Sequence, residues 1–235
     1  MQRGVQMNLG LTAKFISVEQ GKTRINVKIH SQSETEINGL GPIVQRKEIQ
    51  MLYQQLDKLQ ENDVLILSGS VPTSISESIY CEILERISQK QIKVVVDATG
   101  DLLRQTLKYR PFLIKPNNHE LEELFGVELK TMADIEKYAR KLQAMGAQNV
   151  LISMAKDGSL LIDEDGCLHC LGVCQGTVKN SVGAGDSMVA GFIAGYLSHM
   201  GYQETLKLAT ACGGATAFSS ALATVEKIDE LMKQL

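Results

Sequence analysis

The chain has 235 residues, with 24 Lys and Arg against 27 Asp and Glu and a formal net charge of −3. At 44% apolar and 22% charged residues it can bury a sizeable core, which excludes a disordered or collagen-like chain. Near-neutral charge argues against a general nucleic-acid binder, which would carry a basic stripe. The longest strongly apolar stretch, Met188 to Leu197, has ten residues, well short of the ~20 that a membrane span needs. The first residues, Met-Gln-Arg-Gly-Val-Gln-Met-Asn, have one Arg with no apolar run behind it, so no secretory signal is expected. Five cysteines, an odd number without small-scaffold spacing, read as reduced thiols of a cytoplasmic protein.

Thr23-Arg-Ile-Asn-Val-Lys-Ile-His30 alternates polar and apolar side chains, so one face of this strand is buried and the other is not. It suits a small flap of strands over a cleft. A helix after Pro42 carries Ile49, Leu52, Leu56 and Leu59 as a core-facing stripe. Asp63 to Gly69 is a short continuous apolar run ending in Gly and reads as a buried strand. Ser74 to Glu77 has capping-box spacing and predicts a helix from there to about Gln89. Ile92 to Asp97 is a strand rich in β-branched residues. A helix over Gly100–Tyr109, a strand over Phe112–Lys115, and helices over Asn117–Phe125 and Thr131–Met145 follow. The strand Asn149–Ser153 comes next. This alternation means parallel strands joined by helical crossovers, and the class is α/β. Gly158–Asp163 and Leu168–Val173 flank Asp165-Gly166, a hairpin signal. From Gly183 onward the chain reads as three helices. No repeat or Pro-rich linker marks a domain boundary.

The sharpest segment is Asn180-Ser-Val-Gly-Ala-Gly-Asp-Ser187, which precedes an apolar helical pattern. A Gly-rich turn feeding a helix start exposes unpaired N–H groups and the positive end of the helix dipole, a site matched to phosphate. Asp186 projects a carboxylate where that anion would sit. This makes sense if it accepts a proton from a hydroxyl attacking a phosphoryl group. The alternative is that Gly185 supplies a turn and Asp186 caps the helix. Lys115-Pro-Asn-Asn-His-Glu120 lies where a parallel strand ends and a helix begins, the usual position of ligand sites in open α/β sheets. Asn117 and Glu120 share one face of the first turn, and their oxygens suit Mg²⁺ held mainly by nucleotide phosphates, with Lys115 reaching those phosphates. The alternative is an N-cap with Glu at the third position.

Thr23-Arg-Ile-Asn-Val-Lys28, Ser68-Gly-Ser-Val-Pro72, Lys115-Pro-Asn-x-x-Glu120, Ser153-Met-Ala-Lys-Asp-Gly158 and Val182-Gly-Ala-Gly-Asp186 occur in the order and spacing of ribokinase-like sugar kinases. The chain resembles their PfkB-type phosphosugar branch, nearest to the members acting on fructose 1-phosphate, from about Leu9 to Leu235. The resemblance implies a three-layer fold: a mostly parallel sheet with helices on both faces and a small β lid, about residues 23–40, in a single domain over 1–235. It implies ATP-dependent phosphorylation of fructose 1-phosphate to fructose 1,6-bisphosphate, with ATP and Mg²⁺ as cofactors. Asp186 is then the catalytic base, and the Gly183, Ala184 and Gly185 amides cradle the migrating phosphoryl. Lys115, Ser153, Lys156, Gly158, Gly185 and Gly213 serve the nucleotide, and Asn117 and Glu120 organise the metal. Arg24 contacts the acceptor's own phosphate, with Asn26, Lys28 and Ser70 in the same pocket. The partners implied are the small phosphosugar and ATP, with no nucleic acid or membrane. An exposed lid strand offers an edge for a homodimer.

One departure is expected to matter. The family's opening strand and helix units, with their sugar-binding Asp and Gly-Gly-Lys-Gly-like turn, are not found upstream of Thr23, about 60 residues by the usual size of such units. The alternatives in function are a tagatose-6-phosphate kinase and, in another class, an inactive nucleotide-binding remnant. Cys167-x-x-Cys170-x-x-x-Cys174 with His169 lacks the second pair a zinc site needs. Cys81 and Cys212 fall on helical patterns and are expected to be small core residues. His119 is expected to face solvent.

Overall fold

Six apolar runs pair into one sheet in the computed structural model, which describes residues 12–30, 34–39 and 41–235, without the side chains of 28–30, 34–36 and 38. The strands are β3 (Val64–Ser68), β4 (Lys93–Asp97), β5 (Leu113–Ile114), β6 (Asn149–Ser153), β7 (Ser159–Ile162) and β8 (Leu168–Leu171), hydrogen-bonded in that order. The first four are parallel; β7 and β8 run antiparallel to their neighbours. Gly166 holds the β7–β8 turn at φ +79°, a conformation glycine adopts without steric cost. This sheet and its helices form one compact unit, residues 61–69 and 91–235. The helices are α3 (Gly100–Thr106), α4 (Asn118–Phe125), α5 (Met132–Ala144), α6 (Ala184–Leu197), α7 (Tyr202–Ala217) and α8 (Val225–Met232).

Local sequence explains most of these elements. Thr131 opens α5: its Oγ1 accepts from Asp134 N–H at 3.1 Å, while Asp134 Oδ2 accepts from Thr131 N–H at 3.0 Å. Such a cap stabilises a helix by about 1 kcal/mol. Phe192, Val189 and Ile193 of α6 and Leu206 and Ala209 of α7 bury against Phe112, Leu113, Leu151 and Leu161 of the sheet region. Each such large side chain, fully buried, contributes roughly 1.5–3 kcal/mol. The two helices approach closely because the contact is built from small residues; a methyl at Gly191 would lie 2.9 Å from Ala209 Cα. Cys174, Ala211, Ala215 and Phe218 form a second cluster with Leu231 of α8.

The other compact unit comprises the chain before residue 61 together with 70–90. Here β1 (Asn26–His30) and β2 (Glu34–Asn38) pair antiparallel, with Val27 opposite Ile37. The helices α1 (Arg46–Leu56) and α2 (Ile79–Arg86) are joined by the paired bonds of Arg86 Nε and Nη2 to the Asp57 carboxylate, both 2.7 Å. Tyr53 Oη also donates to Glu82 at 2.7 Å.

Two expectations need correction. The helix expected from Ser74 begins at Ile79, because Ser74 Oγ is engaged elsewhere: it accepts from Val44 N–H at 3.0 Å and donates to Pro42 O at 3.2 Å. The strand expected to be buried over 63–69 is the end strand β3. Its far edge has no partner among the described residues, only Leu67 is buried, and Ile66 is 45% exposed. Cys212 is buried as expected, whereas Cys81 is only half-buried.

Candidate active site

The start of α6 is built by a chain of local bonds. Asn180 Oδ1 accepts from Val182 N–H at 3.0 Å, and Ala184 N–H donates to Ser181 O at 3.2 Å. The turn delivers Gly183 at φ +80° as the residue before the helix, a left-handed conformation that L side chains avoid. Ser187 N–H closes the first helical bond on Gly183 O at 2.9 Å. Among the described residues the amides of Gly185 and Asp186 donate to no backbone acceptor, as is usual in the first turn of a helix. Of the three amides expected to cradle a phosphoryl, that of Ala184 is thus already occupied in the turn. Asp186 is the third residue of α6. It is exposed, and its carboxylate has no hydrogen-bond or ion-pair partner among the described residues. No side chain caps α6. The carboxylate is not engaged in capping.

Lys115 follows β5 and is 7% exposed, with its Nζ 3.4 Å from Asp97 Oδ1 at the end of β4. A methyl built at Gly185 would lie 2.9 Å from Lys115 Nζ and 3.2 Å from its Cε, so the ammonium rests against the first turn of α6. Burial holds the Asp97 carboxyl above its ordinary value. The Lys115 ammonium opposes that rise, and the negative charge of Asp186 adds to it. Asp97, Lys115 and Asp186 therefore form one electrostatic group. Asp97 escaped the sequence reading, although an acidic residue closing a parallel strand is a usable signal.

Asn117 and Glu120 form a complete capping box on α4: Glu120 N–H donates to Asn117 Oδ1 and Asn117 N–H to Glu120 Oε2, both at 2.8 Å. The capping reading is therefore realised. It leaves Glu120 Oε1 and the second lone pair of Asn117 Oδ1 available, a donor set that fits a cation held through water rather than a direct cage. Among the described residues no group of three or more His, Cys, Asp or Glu could hold a metal. Ser153 ends β6 and bridges Asn117, with its N–H on Pro116 O at 3.2 Å. Lys156 is exposed on the 3₁₀ turn Ala155–Asp157, and Gly158 closes that turn at φ +92°. Gly213 is buried in the α6–α7 contact, where a methyl would press on Met188 and Ala184.

In the other unit, Arg24 Nε donates to Asn26 Oδ1 at 2.9 Å and Arg24 Nη1 bonds Ser70 Oγ. Three of the four expected acceptor residues thus converge through one guanidinium. The fourth, Lys28, is on β1 with its side chain outside the described residues. Lys22, Thr23, Arg24 and Pro42 line a concavity of about 320 Å³ together with Phe15 and Gly21.

A family model for "pfkB family carbohydrate kinase" matches residues 8–228. The chain belongs to the pfkB family of carbohydrate kinases. The pfkB chain described here is similar to a 1-phosphofructokinase of Bacillus subtilis, 40% identical over 216 residues, 92% of this chain and 71% of that protein. It is also similar to a D-tagatose-1-phosphate kinase of Bacillus licheniformis, 32% identical over 231 residues, 97% of this chain and 75% of that one. Among solved structures it resembles a candidate phosphofructokinase of Staphylococcus aureus, with a TM-score of 0.83 and 38% identity, covering 98% of this chain and 75% of that one. As a pfkB kinase it transfers a phosphoryl group from ATP to a sugar acceptor.

Asp163, His169 and His119 of this kinase serve local structure. His169 Nε2 lies 2.7 Å from buried Asp163 Oδ2, and Asp163 Oδ1 accepts the N–H groups of Asp165 and Cys167, which ties the β7–β8 turn. His119 is exposed beside Glu122 at 3.2 Å. A second concavity, about 800 Å³ and lined by Arg110, Gln143, Gln148, Glu164 and Asp165, lies at the opposite end of β5 and β6. Among the described residues no helix is long and apolar enough to cross a membrane.

Proposed function

We propose that this chain is a 1-phosphofructokinase, transferring the γ-phosphoryl of ATP to the C6 hydroxyl of fructose 1-phosphate in the cytoplasm. The observation that carries the reading is the free carboxylate of Asp186 in the first turn of α6, beside open amides and the buried Lys115 ammonium. Asp186 takes the proton of the acceptor hydroxyl as its oxygen bonds to phosphorus and the bond to the β-phosphate bridging oxygen breaks, leaving ADP. The amides of Gly183 and Gly185 hold the phosphoryl oxygens, the Ala184 amide being engaged by Ser181 O, and Lys115 offsets their charge. Ser153, Lys156 and Gly158 flank the nucleotide. Gly213 lets α7 come close to the start of α6. Mg²⁺ would be held through water by Glu120 and Asn117, where it would neutralise nucleotide phosphate. Arg24, oriented by Asn26 and Ser70 and joined by Lys28, takes the 1-phosphate of the acceptor, which a guanidinium fork matches.

A second reading, a ketohexose 1-phosphate kinase that prefers tagatose 1-phosphate, is favoured by the similarity to the Bacillus licheniformis enzyme. Measuring ADP release with D-fructose 1-phosphate, D-tagatose 1-phosphate and D-tagatose 6-phosphate separates the readings. The highest kcat/KM is expected on fructose 1-phosphate, and a reversed order overturns the choice. For assembly, the β1–β2 hairpin carries exposed Ile25, Val27 and Ile37, and a second copy of the chain pairs there. Sedimentation of the Val27→Lys variant as a monomer and of the parent as a dimer is the expected result.

A further inference from the structure

The pairing of Asp97 with Lys115 is fixed by the sheet. Val95 is opposite Leu113 and Val96 opposite Ile114, so the next positions across the β4–β5 pair are Asp97 and Lys115. Both leave the carboxyl ends of adjacent parallel strands, beside the start of α6. A buried ammonium needs a partner, and among the described residues Lys115 has Asp97 alone, at 3.4 Å. That separation is longer than the roughly 2.7–2.9 Å of a tight charge-assisted bond, so the ammonium keeps donor capacity for a ligand. Its position is set from the other side by Gly185, whose missing side chain is the room that Nζ occupies.

We propose that Asp97 is a positioning residue for phosphoryl transfer: it holds the Lys115 ammonium against Gly185, so that the ammonium completes the cradle for the migrating phosphoryl together with the α6 amides. The inference rests on the kinase assignment above and adds a division of labour to it. Asp186 handles the acceptor's proton, whereas Asp97 touches no reacting atom and acts only through Lys115. Lys115 then serves the transition state more than the bound nucleotide, because Gly185 and its amide belong to the cradle itself. Asp97→Asn keeps the shape of the side chain and removes the charge that holds the ammonium in place.

The test combines turnover with binding in the full chain. Asp97→Asn is expected to lower kcat about 10²-fold, the scale of losing one cradle donor, with the KM for ATP changed less than about 2-fold. Lys115→Met should cost as much, and adding Asp97→Asn to it should cost less than about 3-fold more, since residues acting as one unit are not additive. Gly185→Ala, which displaces Nζ while leaving Asp97 intact, should reproduce the kcat loss. In parallel, titration calorimetry with ADP alone and with ADP plus fluoroaluminate and Mg²⁺ reads the cradle without turnover. The parent should bind the fluoroaluminate complex at least about 10-fold more tightly than ADP, and Asp97→Asn should lose that gain while binding ADP unchanged. Multiplicative losses in the double variant, or an Asp97→Asn variant that keeps the fluoroaluminate gain, overturn the proposal. A parent that shows the fluoroaluminate gain but phosphorylates no ketohexose phosphate leaves the cradle standing and overturns the acceptor assignment instead.

Discussion

Ser187 Oγ and Thr216 Oγ1 lie 2.8 Å apart, tying the first turn of α6 to the last turn of α7 one residue beyond the proposed base. Thr216 is 1% exposed and its hydroxyl oxygen also accepts from Ala223 N–H at 3.2 Å. Replacing it by valine keeps the volume and strands both partners. Thr216→Val should destabilise the chain by about 1–3 kcal/mol, read as a lower urea midpoint with an unchanged m-value.

Asp186→Asn preserves the start of α6, where the carboxylate makes no capping bond, and removes the proton acceptor. Turnover should fall about 10²–10⁴-fold with little change in nucleotide affinity. Steady-state kinetics beside ATP titration checks this, and a variant within a few-fold of the parent removes Asp186 from the mechanism.

Arg24→Lys keeps the charge but not the fork that reaches Asn26 and Ser70. The KM for the phosphosugar should rise far more than that for ATP. A change confined to the ATP constant would place Arg24 outside the acceptor pocket.

Acid should loosen the α1–α2 contact through Glu82. Hydrogen bonds from Ser78 first, and then from Tyr53, hold its carboxyl below the ordinary value. A lowered carboxylate contributes stability that is fully present above its unfolded-state value and is lost as pH falls through its folded-state value. Melting temperatures taken across the acid range should therefore fall more steeply for the parent than for Glu82→Gln. Parallel curves would show that the pair contributes nothing to folding.

The legible parts of the chain are those whose signals are local. Thr131 with Asp134, Asn117 with Glu120, and Asp165-Gly166 each determine their own cap or turn, and the elements they open or close stand where the sequence puts them. Ser74 misled because its capping geometry is indistinguishable in sequence from that of a serine claimed by a distant backbone, here Val44 and Pro42. The exposure of Ile66 was hidden for a related reason, since an apolar run records its composition and not how many neighbours it has. In sequence, Asp97 closing Val-Val-Val reads as a simple strand end. Its meaning comes from Lys115, 18 positions later, through the adjacency of β4 and β5.

That adjacency has a consequence for how the sheet chooses its alignment. β5 contributes only two paired residues, Leu113 and Ile114, so its hydrogen-bond ladder alone defines the alignment weakly. A slip of one position turns every side chain of the strand to the opposite face. It would carry Lys115 away from Asp97 and leave a buried ammonium unpaired, a state costing several kcal/mol. The same two charges proposed to serve the reaction thus also penalise a misaligned sheet, so that a chain folded out of register would be marked by instability before it could be marked by inactivity.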